Sequence, residues 1–197
     1  MKIIAISGGS GSGKTTLASH IFEKYSKSNL IISLDHYYFN QEQQMSRNGF
    51  CNYDHPLALD KDLLLKNIEE LISNGETDIP QYCFKERNRI GYKSVNNVQT
   101  IIIEGLYSIE FLKNIEANKI FVEADIDLLL ARRIERDMKH RGRNLESILE
   151  QYFKDVKPAY NKYIKNQKNV ADLVIQNNYD KTEILLKEFD KLAKIYE

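Results

Sequence analysis

Five short apolar runs punctuate the chain: "KIIAIS" at 2–7, "LIIS" at 30–33, "TIIIEG" at 100–105, "KIFVEA" at 119–124 and "ADLVIQ" at 171–176. Runs this short, bounded by polar and glycine-containing segments, have the pattern of strands buried on both faces of a sheet. Between most of them apolar residues recur at helical spacing. Leu64, Ile68, Leu71 and Ile72 predict a helix that stops near Gly75, Ile126, Leu130, Ile134 and Met138 repeat at i+4, and Leu185, Phe189 and Leu192 mark a last helix. The alternation predicts an α/β fold, a parallel five-stranded sheet with helices on both faces, whose ligands bind beyond the carboxyl ends of the strands.

Residues 36–98 break the alternation, with one helix and two loop-like regions rich in Asn, Gln, Tyr and Arg. This is the natural place for an insertion over the site. "NRIGY" around Gly91 predicts the turn of a small β-hairpin, within about 76–98, whose first strand carries Tyr82 and Phe84. A chain of 197 residues suits a single domain, 1–197, with one sizeable core.

Composition narrows the partners. The 28 basic and 28 acidic residues remove any global electrostatic reason to expect nucleic acid or an anionic membrane, so a basic site must be local. The apolar stretch in "MKIIAIS" is too short for a signal-peptide core and no later segment approaches a membrane span. Cys51 and Cys83 lack metal-ligand spacing and fit free thiols in a reducing compartment. The expectation is a cytoplasmic protein.

"GGSGSGKTT" matches G-x-x-x-x-G-K-[ST] directly after a strand and before a helix. It makes Gly8, Gly9, Ser10, Gly11, Ser12, Gly13, Lys14, Thr15 and Thr16 the candidate nucleotide-binding loop of a P-loop NTPase fold. Glycines let backbone N–H groups converge on phosphates, Lys14 reaches the β and γ phosphates, and the Thr15 hydroxyl ligates magnesium. The chain lacks D-x-x-G and N-K-x-D, which argues against a guanine-nucleotide switch, and it has no transporter-ATPase signature. Glu104, at the end of the third apolar run, is a second candidate ligand for Mg2+.

Asp35 in "SLDHYY" follows the second run and so emerges at the same sheet edge, where a carboxylate can orient a hydroxyl and accept its proton during phosphoryl transfer. Arg132, Arg133 and Arg136, then Arg141 and Arg143 about Gly142, suggest an arginine-rich lid over about 137–146 that closes on triphosphate and substrate. A solvated helix with Glu135 and Lys139 paired is the bland alternative.

With "NYDHP", "RRIERDMKHRGRNLESILEQY" and "VKPAY" added to these motifs, the chain resembles the uridine kinases, within the uridine kinase and phosphoribulokinase group of P-loop kinases. The resemblance runs in order from the first strand to about Asp180 and implies an ATP- and Mg2+-dependent kinase acting on the 5'-hydroxyl of a pyrimidine nucleoside. It implies the base role for Asp35, with Tyr38 beside it, and the sugar site for Tyr53 and Asp54. Arg133, Arg143 and Gln151 fall on nucleoside contacts, Arg136 and Arg141 on phosphate-facing arginines, and Asp180 on an aspartate near the adenine. It also suggests a homo-oligomer. In the family's base-reading hairpin, P-x-Y-D-F-x-x-H-S-R, Tyr82 and Phe84 match while Arg87 replaces the histidine. Because arginine only donates hydrogen bonds, uridine is expected over cytidine. Two other readings stand beside this one: a kinase of another riboside or a phosphorylated sugar, with Arg87 and Arg89 binding an anion, and a non-catalytic nucleotide-binding regulator.

Overall fold

The computed structural model describes residues 1–25 and 29–193. These form seven strands: β1 (Lys2–Gly8), β2 (Asn29–Ser33), β3 (Glu76–Cys83), β4 (Asn88–Asn96), β5 (Thr100–Glu104), β6 (Asn118–Glu123) and β7 (Leu173–Gln176). Five make one parallel sheet in the order β2-β5-β1-β6-β7. The five apolar runs are these five strands. Burial on both faces holds for β1 and β5, whereas β2 and β7 are edge strands and only partly covered.

β1 lies between β5 on one side and β6 on the other, so the chain departs in opposite directions on its two sides and opens a crevice at its carboxyl end. Helix α1 (Lys14–Tyr25) follows directly, its Leu17, Ala18 and Ile21 buried against Ile4, Ile6 and Ile102. The opposite face holds the larger core. There Ile3, Ala5, Ile101 and Ile103 meet Leu64, Ile68 and Leu71 of α3 (Lys61–Asn74). Asp60 caps α3 by accepting the Leu63 N–H, and Gly75, at φ 77°, ends it where the spacing predicted. Ile72, expected on the buried stripe, is exposed.

The insertion holds a second helix that the apolar pattern did not reveal, α2 (Gln41–Asn48). Only Gln44 of it is buried, so it has almost no apolar stripe; what starts it is a capping box between Asn40 and Gln43. The hairpin also differs from expectation. Its turn is formed by residues 84–87, with Phe84 in the turn and Arg87 at φ 52°, while Gly91 sits within β4 opposite Gln81 at a register shift. The glycine marks a bulge rather than a turn.

After the short α4 (Ser108–Phe111), α5 runs Ile126–Arg141. Its buried line is Leu129, Arg133 and Asp137, one position off the apolar repeat, with Ile126 and Met138 exposed. Gly142 is a left-handed C-cap whose N–H reaches the Asp137 carbonyl, and Asn144 caps α6 (Leu145–Gln151). The 137–146 segment thus comprises a helix end, a left-handed cap at Gly142 and a helix start. Two π turns, Tyr152–Val156 and Tyr160–Ile164, flank the single turn α7 (Lys157–Ala159), and α8 (Thr182–Ala193) closes the layer beside α1. No described helix is long and apolar enough to cross a membrane.

Candidate active site

The loop between β1 and α1 needs glycine at two points. Gly11 and Gly13 have φ of 88° and 95°, and a Cβ on Gly13 would stand 2.7 Å from the Asn177 side chain. Asn177 in turn donates to the Ser12 carbonyl at 2.7 Å and so holds the loop from below. Arg132 fixes that support by donating to the Asn177 and Tyr179 carbonyls, which explains this arginine without a ligand.

Parallel register brings three carboxyl-end residues together. Glu104 is opposite both Ile6 and Ser33. Its carboxylate accepts from Ser33 Oγ at 2.6 Å and from Thr15 Oγ1 at 3.2 Å. These hard oxygens fit magnesium: neighbouring ligands of an octahedral ion at ~2.1 Å lie ~3 Å apart. Ser33 also accepts from the Asp35 N–H, so the proposed base and the proposed metal carboxylate hang on one hydroxyl.

Beyond this edge opens a cleft of about 870 Å3. Lys14 and Asp35 line it, as do Tyr38, Tyr53, Asp54, Tyr82, Phe84 and Arg87 from the insertion, and Arg133, Arg136, Arg141, Arg143 and Gln151 from α5, its turn and α6. The candidate catalytic residues and every candidate nucleoside residue therefore share one cleft. Asp180 does not line this cleft; it is exposed on the segment before α8. Arg89 turns away as well. It donates twice to Asp60 Oδ2 at 3.1 Å and to the Tyr37 carbonyl at 2.9 Å, and its guanidinium lies 5.5 Å from the Phe39 ring centre. It bolts the hairpin to the α3 cap instead of facing a ligand.

The hairpin wall is an aromatic chain. Tyr38 meets Tyr53 and Tyr82 edge-on at 5.3 and 5.7 Å, and Tyr82 meets Phe84 at 5.5 Å. The Tyr53 and Tyr82 hydroxyls are both buried in this wall, beside one another. Burial first, and then the neighbouring Tyr53 hydroxyl, holds the Tyr82 phenol far above its ordinary range. The Tyr82 N–H donates to His36 Nδ1 at 3.1 Å, tying the hairpin to the Asp35 turn.

At the far wall Asp54 accepts from Gln151 at 2.9 Å, and Gln151 accepts from Arg133 at 3.0 Å and from Arg143. Burial pushes the Asp54 carboxyl up; Arg133 and Gln151 oppose this and Asp155 reinforces it. Arg133 and Arg136 also donate to Ser10 of the phosphate loop. Sequence reasoning missed two members of the site. Asp137, fully buried, sits among four arginines, and Asp155 lines the cleft. An aspartate at i+4 from Arg133 and i−4 from Arg141 was the available signal for the first.

A strand-loop-helix phosphate cradle, a carboxylate beside it and an acceptor pocket in the same cleft define a P-loop kinase. Residues 3–183 match the family described as Phosphoribulokinase / Uridine kinase family, and the chain belongs to it. Among its relatives, the uridine kinase of Lactiplantibacillus plantarum is 38% identical over 179 residues, 88% of this chain and 85% of that protein. The uridine kinase of Streptococcus pneumoniae is 37% identical over 200 residues, 99% and 94% of the two chains. Of solved structures, the phosphoribulokinase of Rhodobacter spheroides superposes with a TM-score of 0.65 at 18% identity, covering 89% of this chain and 69% of that one. At that identity the likeness concerns the fold.

Proposed function

We propose that this protein is a uridine kinase, transferring the γ-phosphoryl group of ATP to the 5'-hydroxyl of uridine in pyrimidine salvage. The observation that carries the reading is the single cleft in which Lys14 and Asp35 share the space with an aromatic wall of Tyr38, Tyr53 and Tyr82 and an Asp54–Gln151–Arg133 chain. The curated relatives named as uridine kinases over most of this chain support the same substrate.

In this reading the loop N–H groups and Lys14 hold the triphosphate, and Arg136 and Arg141 spread the charge that develops in transfer. Tyr53 and Asp54 bind the ribose, Arg133, Arg143 and Gln151 contact the nucleoside, and Tyr82 and Phe84 orient the base. Asp35 fixes the 5'-hydroxyl and receives its proton as the new P–O bond forms. Magnesium, held by Thr15 and Glu104, would neutralise charge on the β and γ phosphates. Asp180 near the adenine, closure of the 137–146 lid, a single cytoplasmic domain and a homo-oligomeric state belong to the same proposal.

The test is ADP release over a panel of ribosides and phosphorylated sugars, with Asp35→Asn as control. Turnover of uridine by the native protein is expected, together with loss of turnover but retention of ATP binding in the variant. Turnover of phosphorylated sugars with no nucleoside active would overturn the reading.

A further inference from the structure

Five charged side chains meet where α5 ends. The Asp137 side chain has no solvent exposure, and its two oxygens serve different arginines. Oδ1 lies 2.8 Å from Arg136 Nη2 and 3.5 Å from Arg141 Nη1, the pair assigned above to phosphate. Oδ2 lies 3.6 Å from Arg133 Nε and 3.8 Å from Arg143 Nη1, the pair assigned to the nucleoside. The Asp137 carbonyl also accepts the N–H groups of Gly142 and Arg143, so the turn carrying Arg143 is anchored to the same residue.

Four guanidiniums gathered around one buried carboxylate share its charge, and what one pair gives up the other gains. We propose that Asp137 is a positioning residue that couples the two ends of the cleft, so that an anion at the phosphate end strengthens nucleoside binding and the reverse. When phosphate oxygens draw Arg136 and Arg141 away from Oδ1, the carboxylate's charge falls on Arg133 and Arg143. These are then held more firmly in the geometry that also engages Gln151. The coupling is reciprocal, as any linkage of binding free energies must be. This rests on the reading of the site as a nucleoside kinase.

The experiment is calorimetric titration of pyrophosphate, with magnesium, into the full chain with and without saturating uridine. The native protein is expected to bind pyrophosphate about five- to tenfold more tightly with uridine present. In Asp137→Asn the factor should fall to within about twofold of one, while pyrophosphate alone binds as tightly or more tightly because the arginines have lost a counter-ion. A merely structural role would weaken both ligands and leave the factor in place. A native factor near one, or an unchanged factor in the variant, overturns the proposal. Should the amide variant fail to fold, Asp137→Ser, which also removes the carboxylate, replaces it, and an unchanged factor there has the same force. Uridine turnover without coupling refutes this inference alone, whereas absence of any riboside binding refutes the reading beneath it.

Discussion

In the proposed reading Arg87 decides the choice of base, and replacing it separates recognition from stability. It lines the cleft from the hairpin turn, where its guanidinium offers donors and no acceptor. Facing position 4 of a pyrimidine, it satisfies the uracil carbonyl but opposes the cytosine amine, a mismatch worth ~1–3 kcal/mol when the groups are desolvated. Arg87 is exposed and Asp155 lines the same cleft, so water and a carboxylate soften the mismatch and the lower end applies. About 1 kcal/mol is roughly a fivefold preference for uridine in kcat/KM. The backbone supplies the control. At φ 52° a non-glycine residue is strained by ~1 kcal/mol, so Arg87→Gly relieves about as much strain as its added chain entropy costs. The variant should lose the uridine preference and keep its melting temperature within a few degrees. Arg87→His, which can accept as well as donate, should improve cytidine specifically. The assay is kcat/KM for both nucleosides in the three proteins. An unchanged ratio in Arg87→Gly would refute the placement of this side chain.

Arg89 should behave in the opposite way. Arg89→Ala removes an ion pair whose side chains are only 17% and 19% exposed and leaves Asp60 without its cation, an expected loss of about 2–4 kcal/mol in urea unfolding. A loss below ~0.5 kcal/mol would mean that the hairpin is held by other contacts. His36 makes a pH prediction. Burial lowers its pKa from the ordinary 6.5 despite Asp35 and Glu104, and Nδ1 must stay unprotonated to accept from Tyr82. The stability this contributes is complete above the unfolded pKa and is lost as pH falls. Relative to His36→Gln, the native protein should therefore lose melting temperature between about pH 7.5 and 5.5. A pH-independent difference between the two would contradict the assignment.

The strands and the phosphate loop were legible because their signals are local: short apolar runs, and a glycine pattern between one of them and a helix. The misreadings have a common cause in partners distant along the chain. Gly91 looked like a turn because a glycine among polar residues does; its place opposite Gln81 depends on a register visible only once both strands exist. The stripe Ile126, Leu130, Ile134, Met138 looked like a buried face because apolar periodicity cannot register a seam buried by ion pairing. Arg89 was open to reading as a ligand because its carboxylate lies 29 positions back, at Asp60. α2 was missed for another reason, its polarity, although Asn40 and Gln43 carried a capping signal.

The seam on α5 also explains how a chain of zero formal charge prepares a site for a triphosphate. Eight lysines and arginines line the cleft against four carboxylates, so the local excess is positive even though the totals balance. Arginines crowded so closely would repel one another in an empty cleft. Burying Asp54 and Asp137 among them offsets that repulsion, at a desolvation cost that shows in the raised Asp54 carboxyl. These two carboxylates lie under different parts of the cluster, Asp54 in a chain with Gln151 and Arg133, and Asp137 between both arginine pairs. Asp54→Asn should thus raise the uridine KM with little change for ATP, because the hydrogen bond its carboxylate accepts, from Gln151, lies on the nucleoside wall. Equal effects on the two KM values would mean that Asp54 acts through the whole arginine cluster rather than on the nucleoside wall alone.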